Sequence, residues 1–147
     1  MRATLIVLAV AAAALAAATH ASARQACTAG STGTSRTFCG PAKATLKDGG
    51  KTYTFKGGSC STTSSTWTIN IGTITLSGTP KHTYFGITVF GKKAGKYTTG
   101  TISWQMPGKR GSLYKSTVTL ASGLKKGTFS GTNIIGGGTG SGSFSCG

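Results

Sequence analysis

Asp48 is the only acidic side chain in 147 residues. Catalysis by a pair of carboxylates, as in glycosidases and aspartic proteases, needs two, so those mechanisms are excluded. A Ser-His-Asp arrangement can be assembled formally from His82, Asp48 and one of many serines. No Gly-x-Ser-x-Gly elbow supports it, and Gly140-Ser141-Gly142 lacks the strand-to-helix turn that exposes such a nucleophile. Asp48 has a structural task instead, because Asp48-Gly49-Gly50 supplies the positive φ angles that a tight hairpin needs. His82 reads as a surface residue at the start of a strand. The glycine clusters form no Gly-x-x-x-x-Gly-Lys-[Ser/Thr] phosphate loop and read as turns and bulges. The expectation is a chain with no catalytic residues and no cofactor.

The thiols complete the chemically active set, as Cys27, Cys39, Cys60 and Cys146. No two have Cys-x-x-Cys spacing, and His82 is the only histidine beyond the leader, so no metal site is expected. An even number of cysteines in an exported chain reads as two disulfides formed in an oxidising compartment. Three pairings are possible. Cys27–Cys39 with Cys60–Cys146 is favoured, since the first closes a local loop and the second ties an early strand to the last. Loops of these lengths stabilise by about 3 and about 4.5 kcal/mol on the chain-entropy estimate.

Export is indicated by the first 23 residues. Met1-Arg2 is a short positive start, Leu5 to Ala18 is apolar, and Ala21-Ser22-Ala23 fits the small-x-small cleavage rule. The apolar run is shorter than the roughly 20 residues that cross a bilayer as a helix. Cleavage is expected after Ala23, giving a secreted or envelope-associated protein with no transmembrane segment in the mature chain. Lipid attachment at Cys27 is the competing reading. Arg24-Gln25-Ala26 lacks the apolar residue that such a signal requires, and acylation would leave an odd number of thiols.

The charge is lopsided, with 16 Lys plus Arg against one acid and a net charge of +15. Like charges repel in the compact state, so the fold needs staples and the surface attracts anions. Basic residues cluster at turns, as Lys92, Lys93 and Lys96, Lys125 and Lys126, Lys109 and Arg110, and Lys81. Successive turns of an antiparallel fold alternate between its ends. Lys92, Lys93, Lys96, Lys125 and Lys126 should therefore gather at one pole, and Lys81, Lys109 and Arg110 at the other. The competing view is that turn lysines only keep strand edges soluble. As a binding set they point to an anionic cell-wall polymer or membrane surface. Extracellular nucleic acid is the alternative, with Tyr53, Trp67, Tyr84, Tyr97, Trp104 and Tyr114 as stacking candidates, and a cationic antimicrobial role is another.

From Ala42 onward, short runs rich in Thr, Ile, Val and aromatics alternate with period two between Gly, Lys, Ser and Pro clusters. Ala44 to Lys47 and Lys51 to Lys56 should form a hairpin. Trp67, Ile69 and Ile71 share a face, and Ile74 and Leu76 continue it one position out of phase, as a bulge at Gly72 would produce. Phe85, Ile87 and Val89 follow, then Ile102, Trp104 and Met106, then Val118 and Leu120, with Phe129, Ile135 and Phe144 completing the apolar set. The predicted architecture is all-β, a disulfide-stabilised antiparallel β-sandwich of about seven or eight strands. The domain reading is a signal peptide over 1–23, an irregular segment with a local disulfide over 24–41, and the sandwich over 42–147.

Gly57-Gly58-Ser59-Cys60, the alternating strand Trp67 to Ile71 and the closing strand Ser141 to Cys146 together resemble the mycobacterial 19-kDa lipoprotein antigen family over Leu46 to Cys146. The resemblance implies a cell-envelope β-sandwich with a Cys60–Cys146 bridge. The chain departs from that family in its missing lipobox, its additional cysteine pair and its basicity.

Overall fold

The computed structural model describes residues 26–147. The leader and its cleavage site lie outside the described residues. The strands are β1 (Gly30–Ser31), β2 (Ser35–Phe38), β3 (Lys43–Asp48), β4 (Lys51–Lys56), β5 (Gly58–Thr62), β6 (Trp67–Thr75), β7 (Tyr84–Val89), β8 (Gly95–Tyr97), β9 (Gly100–Met106), β10 (Lys109–Leu120), β11 (Lys126–Asn133) and β12 (Thr139–Ser145). The helical content of the described residues is one 3-10 turn, Ser122–Leu124. β3 and β4 form the predicted hairpin, with Gly49 at φ 55° and Gly50 at φ 74° in the left-handed conformation that such turns require.

All pairings between strands are antiparallel, in the order β1-β2-β6-β7-β9-β10-β11-β12-β3-β4, with β5 also on β6 and β8 also on β10. Twelve strands replace the seven or eight expected, and the reason is visible in the two long ones. β6 pairs with β5 along Trp67–Ile71 and with β2 along Gly72–Thr75, and Gly72 at φ 80° separates the halves. β10 pairs with β9 along Lys109–Leu113 and with β8 along Val118–Leu120, and its register breaks between Tyr114 and Thr117. Each long strand bends midway and serves two short partners.

The segment before Pro41 is accordingly not irregular. It holds β1 and β2, and β2 is bonded to β6.

The bends let the sheet curl until its inner face meets itself. Trp67 on β6 lies 5.0 Å from Phe144 on β12, and Phe85 on β7 lies 5.2 Å from Phe129 on β11 and 5.1 Å from Phe55 on β4, centroid to centroid. The curl does not close into a barrel. Backbone bonds between Ala42 and Gly58, and between Gly57 and Ala42, stitch the entry of β3 to the entry of β5. The disulfides pair Cys27 with Cys39 and Cys60 with Cys146, the latter joining β5 to the residue after β12.

The core holds most of the expected apolar set, with three corrections. Ile74 is half-buried and outside the core. Leu76 is 54% exposed and Ile135 is 70% exposed. The phase does not shift at Gly72 as a bulge there would require: the buried alternation of Trp67, Ile69 and Ile71 runs on in phase to Thr75, whose N–H (2.8 Å) and carbonyl (3.0 Å) are both bonded by the Gln105 side-chain amide as by a neighbouring strand. Ile135 falls in the β11–β12 turn, where its N–H donates to the Asn133 side chain.

Exchanging both Cys60 and Cys146 for alanine should lower unfolding free energy by about 4 to 5 kcal/mol, against about 3 kcal/mol for the Cys27–Cys39 pair. Urea unfolding of the two double variants measures both. A larger loss from the local pair would mean that the long loop is already constrained in the unfolded chain.

Candidate functional site

On the half of the sheet running from β8 through β10, β11, β12 and β3 to β4, inner and outer positions differ sharply in chemistry. The inner positions are mostly apolar or glycine, with Asp48 and Asn133 paired to each other at one end. Phe129 pairs across the ladder with Gly142, and Phe144 with Gly127, so each ring lies over a residue with no side chain. A Cβ at Gly142 would run into the Phe129 ring and the Thr45 carbonyl, and one at Gly127 into the Phe144 ring and the Thr119 carbonyl.

The outer positions are hydroxyls and lysines held in register. One row runs Lys96, Thr119, Thr128, Ser143, Thr45, Thr54, one residue per strand. A second runs Thr117, Ser130, Ser141, Lys47, Thr52, and a third Lys126, Ser145, Lys43, Lys56. Strand geometry sets these groups about 5 Å apart along a row and about 7 Å apart between rows. Up to β3, the first two rows line a shallow depression of about 560 Å3.

Elsewhere, Ser112 and Ser116 donate their hydroxyls to strand carbonyls at 2.9 and 2.7 Å. The hydroxyls lining the depression make no hydrogen bond with another described side chain or backbone group. Each is free to donate and to accept.

The cations singled out from the sequence fall at the two ends of β10. Leu120, its last residue, pairs with Gly95 on one side and Gly127 on the other, which brings Lys96 and Lys126 to the same end. The Tyr97 hydroxyl donates to the Lys93 carbonyl (2.8 Å) and accepts from its N–H (3.2 Å), folding the Lys92-Lys93 loop onto β8. The Lys125 carbonyl accepts from Cys146 N–H at 2.7 Å. Lys109 and Arg110 begin β10, and the Pro80 carbonyl beside Lys81 accepts from Gly108 in the same turn. The Arg110 guanidinium donates to the Gly78 carbonyl.

Lys43, Lys47 and Lys56 were not visible as a cluster because they meet across strands. Their sequence signal is alternation, in Lys43-x-Thr45-x-Lys47, Thr117-x-Thr119, Thr128-x-Ser130 and Ser141-x-Ser143.

The remaining reactive groups have structural partners. Both Asp48 oxygens accept from the Asn133 side-chain amide, at 2.9 and 2.8 Å, and Asn133 in turn accepts from Ile135 and Gly136 in the β11–β12 turn. His82 is exposed ahead of β7. Among the described residues no three His, Cys, Asp or Glu side chains converge as metal ligands. Of the proposed stacking aromatics, Trp67, Trp104 and Tyr84 are buried, whereas Tyr114 is 59% exposed.

Compared with family models, curated proteins and solved structures, the chain matches none.

Burial pushes the Tyr84 phenol above its ordinary value of 10.0, and the Arg36 guanidinium partly offsets this. Its hydroxyl donates to Asn70 at 2.7 Å. The unfolded chain loses this proton first as pH rises, so Tyr84 stabilises the fold below pH 10.0 and progressively less above it. Tyr84→Phe should cost about 1 kcal/mol at neutral pH. The gap from wild type should narrow above pH 10.0, and a gap constant through that range would refute the assignment. Asp48→Ala, which strands the Asn133 amide, should cost about 1.5 to 3 kcal/mol in thermal or urea unfolding.

Proposed function

We propose that this protein is an exported, non-catalytic binding module that holds anionic polymer outside the cell on the outer face of β8, β10, β11, β12, β3 and β4. The supporting observation is the in-register field of hydroxyls bordered by Lys43, Lys47, Lys56, Lys96 and Lys126. A flat array of donors with cations at its margins suits an extended anionic chain, which can lie across several strands at once. Cleaved after Ala23, the chain loses Arg2 and keeps 15 cations against one acid, a net charge of about +14 that would draw such a ligand in from a distance.

An extracellular setting is supported by two disulfides and by the signal-like leader, with cleavage after Ala23 as part of the proposal. With Cys27 bonded to Cys39, its sulfur is not free to hold a lipid. The envelope setting implied by the antigen-family resemblance fits this reading, as does a sandwich-like packing of the two halves of the curled sheet. The lysines at the far end of β10, Lys81, Lys109 and Arg110, lie beyond the hydroxyl field and contribute attraction at long range.

Purified, oxidised mature protein should be retained by anionic cell-wall polymer at about 0.15 M salt, where exposed charges are largely screened beyond about 8 Å. Substituting Gln for Lys43, Lys47, Lys96 and Lys126 should weaken retention at least about tenfold and flatten its dependence on salt. Loss of all retention at that salt would overturn the proposal. So would an equal effect from substituting Lys81, Lys109 and Arg110 instead.

A further inference from the structure

Next along β10 from the hydroxyl field, the chemistry of the outer surface changes. The register breaks between Tyr114 and Thr117, and Lys115 stands at φ 47°, a left-handed conformation uncommon outside glycine and concentrated at functional sites. On the neighbouring edge β8 has ended and β9 has not begun, so Thr98 and Thr99 span a gap opposite the bulge. Gap and bulge together open a groove of about 500 Å3 lined by Phe90, Tyr114, Ile134, Lys115 and threonine hydroxyls.

Isolated apolar residues on a surface need no explanation, but convergent ones do. Five large apolar residues are exposed among the described residues, Leu76, Phe90, Tyr114, Ile134 and Ile135, and Phe90, Tyr114 and Ile134 line this one groove. Phe90 is 67% exposed. The Lys115 ammonium lies 5.8 Å from the Tyr114 ring centroid, so a positive charge sits at the edge of the aromatic surface. Tyr114, in the groove, pairs with Thr132, two positions along β11 from Ser130 in the hydroxyl depression, so groove and field lie on the same face of the sheet.

We infer that groove and field form one path for an acidic polysaccharide, with sugar rings resting on Phe90 and Tyr114 and their anionic substituents meeting Lys115 and the lysines of the field. This rests on the anionic-polymer reading above and names its ligand class. A sugar ring presents an apolar C–H face and a rim of hydroxyls, and it needs aromatic surface together with groups that both donate and accept. Ser and Thr hydroxyls do both. Duplex DNA presents phosphates that only accept, at one charge per about 1.7 Å of axis. The lysines here are sparser, with Lys43 about 5 Å from Lys56 across the ladder and about 13 Å from Lys47 along its own strand. Sparse cations among many hydroxyls match a polymer with an acid only every ring or two.

The test is affinity electrophoresis of the mature, oxidised protein at about 0.15 M salt through gels containing alginate, dextran, single-stranded oligothymidylate or phosphatidylglycerol vesicles. Alginate should retard the protein more than the other three. Phe90→Ala with Tyr114→Ala should weaken alginate binding at least about tenfold while leaving elution from a sulfonate resin and the urea midpoint unchanged, because both side chains are exposed. Undiminished alginate binding by that variant, or equal or tighter binding of oligothymidylate or vesicles, would overturn the polysaccharide assignment and leave the anionic-polymer reading standing. If no anionic probe retards the protein, both readings fall.

Discussion

Phe85 touches Phe55 on one side and Phe129 on the other, and Trp67 touches Phe144. These contacts join strands that are several places apart in the hydrogen-bonded order. They are what make an open ribbon of antiparallel strands into a body with an inside. Each buried aromatic removes a large apolar area from water, and ring pairs in tilted geometry add to that. The glycines opposite Phe129 and Phe144 are the complement of this packing, since the rings need the space that side chains there would fill.

Everything the outer face can do follows from this division. A strand has two faces, and the inner one is filled by a few large rings over glycines, so the outer positions of β11 and β12 are left with no packing duty. They hold serine, threonine and lysine in straight rows. The bends at Gly72 and at the Tyr114–Thr117 irregularity serve the curl, and the second of them also interrupts the rows and opens the aromatic groove. Fold and surface thus share one origin in the geometry of β10.

Local chemistry was legible in the sequence. The Asp48-Gly49-Gly50 turn and most of the buried stripe could be read from residue type and period, because each depends on neighbours a few positions away. The short strands β2 and β8 could not, since each exists only by pairing with half of a longer, bent partner. The same reason hid the burial of Thr75, which depends on Gln105 from another strand, and left Leu76 and Ile135 assigned to the core. The turn lysines were visible as clusters along the chain. The rows that include Lys43, Lys47 and Lys56 became visible only when register was known, although their alternation with threonine was a trace of it.

The Cys60–Cys146 bond joins the residue in mid-β5 to the last but one of the chain. It converts residues 60 to 146 into a covalent ring. A single peptide-bond cut anywhere inside that ring leaves both fragments attached, and the strands on either side stay paired within the same sheet. A domain bridged in this way can therefore survive one proteolytic nick without shedding a piece, and only a second cut releases part of it.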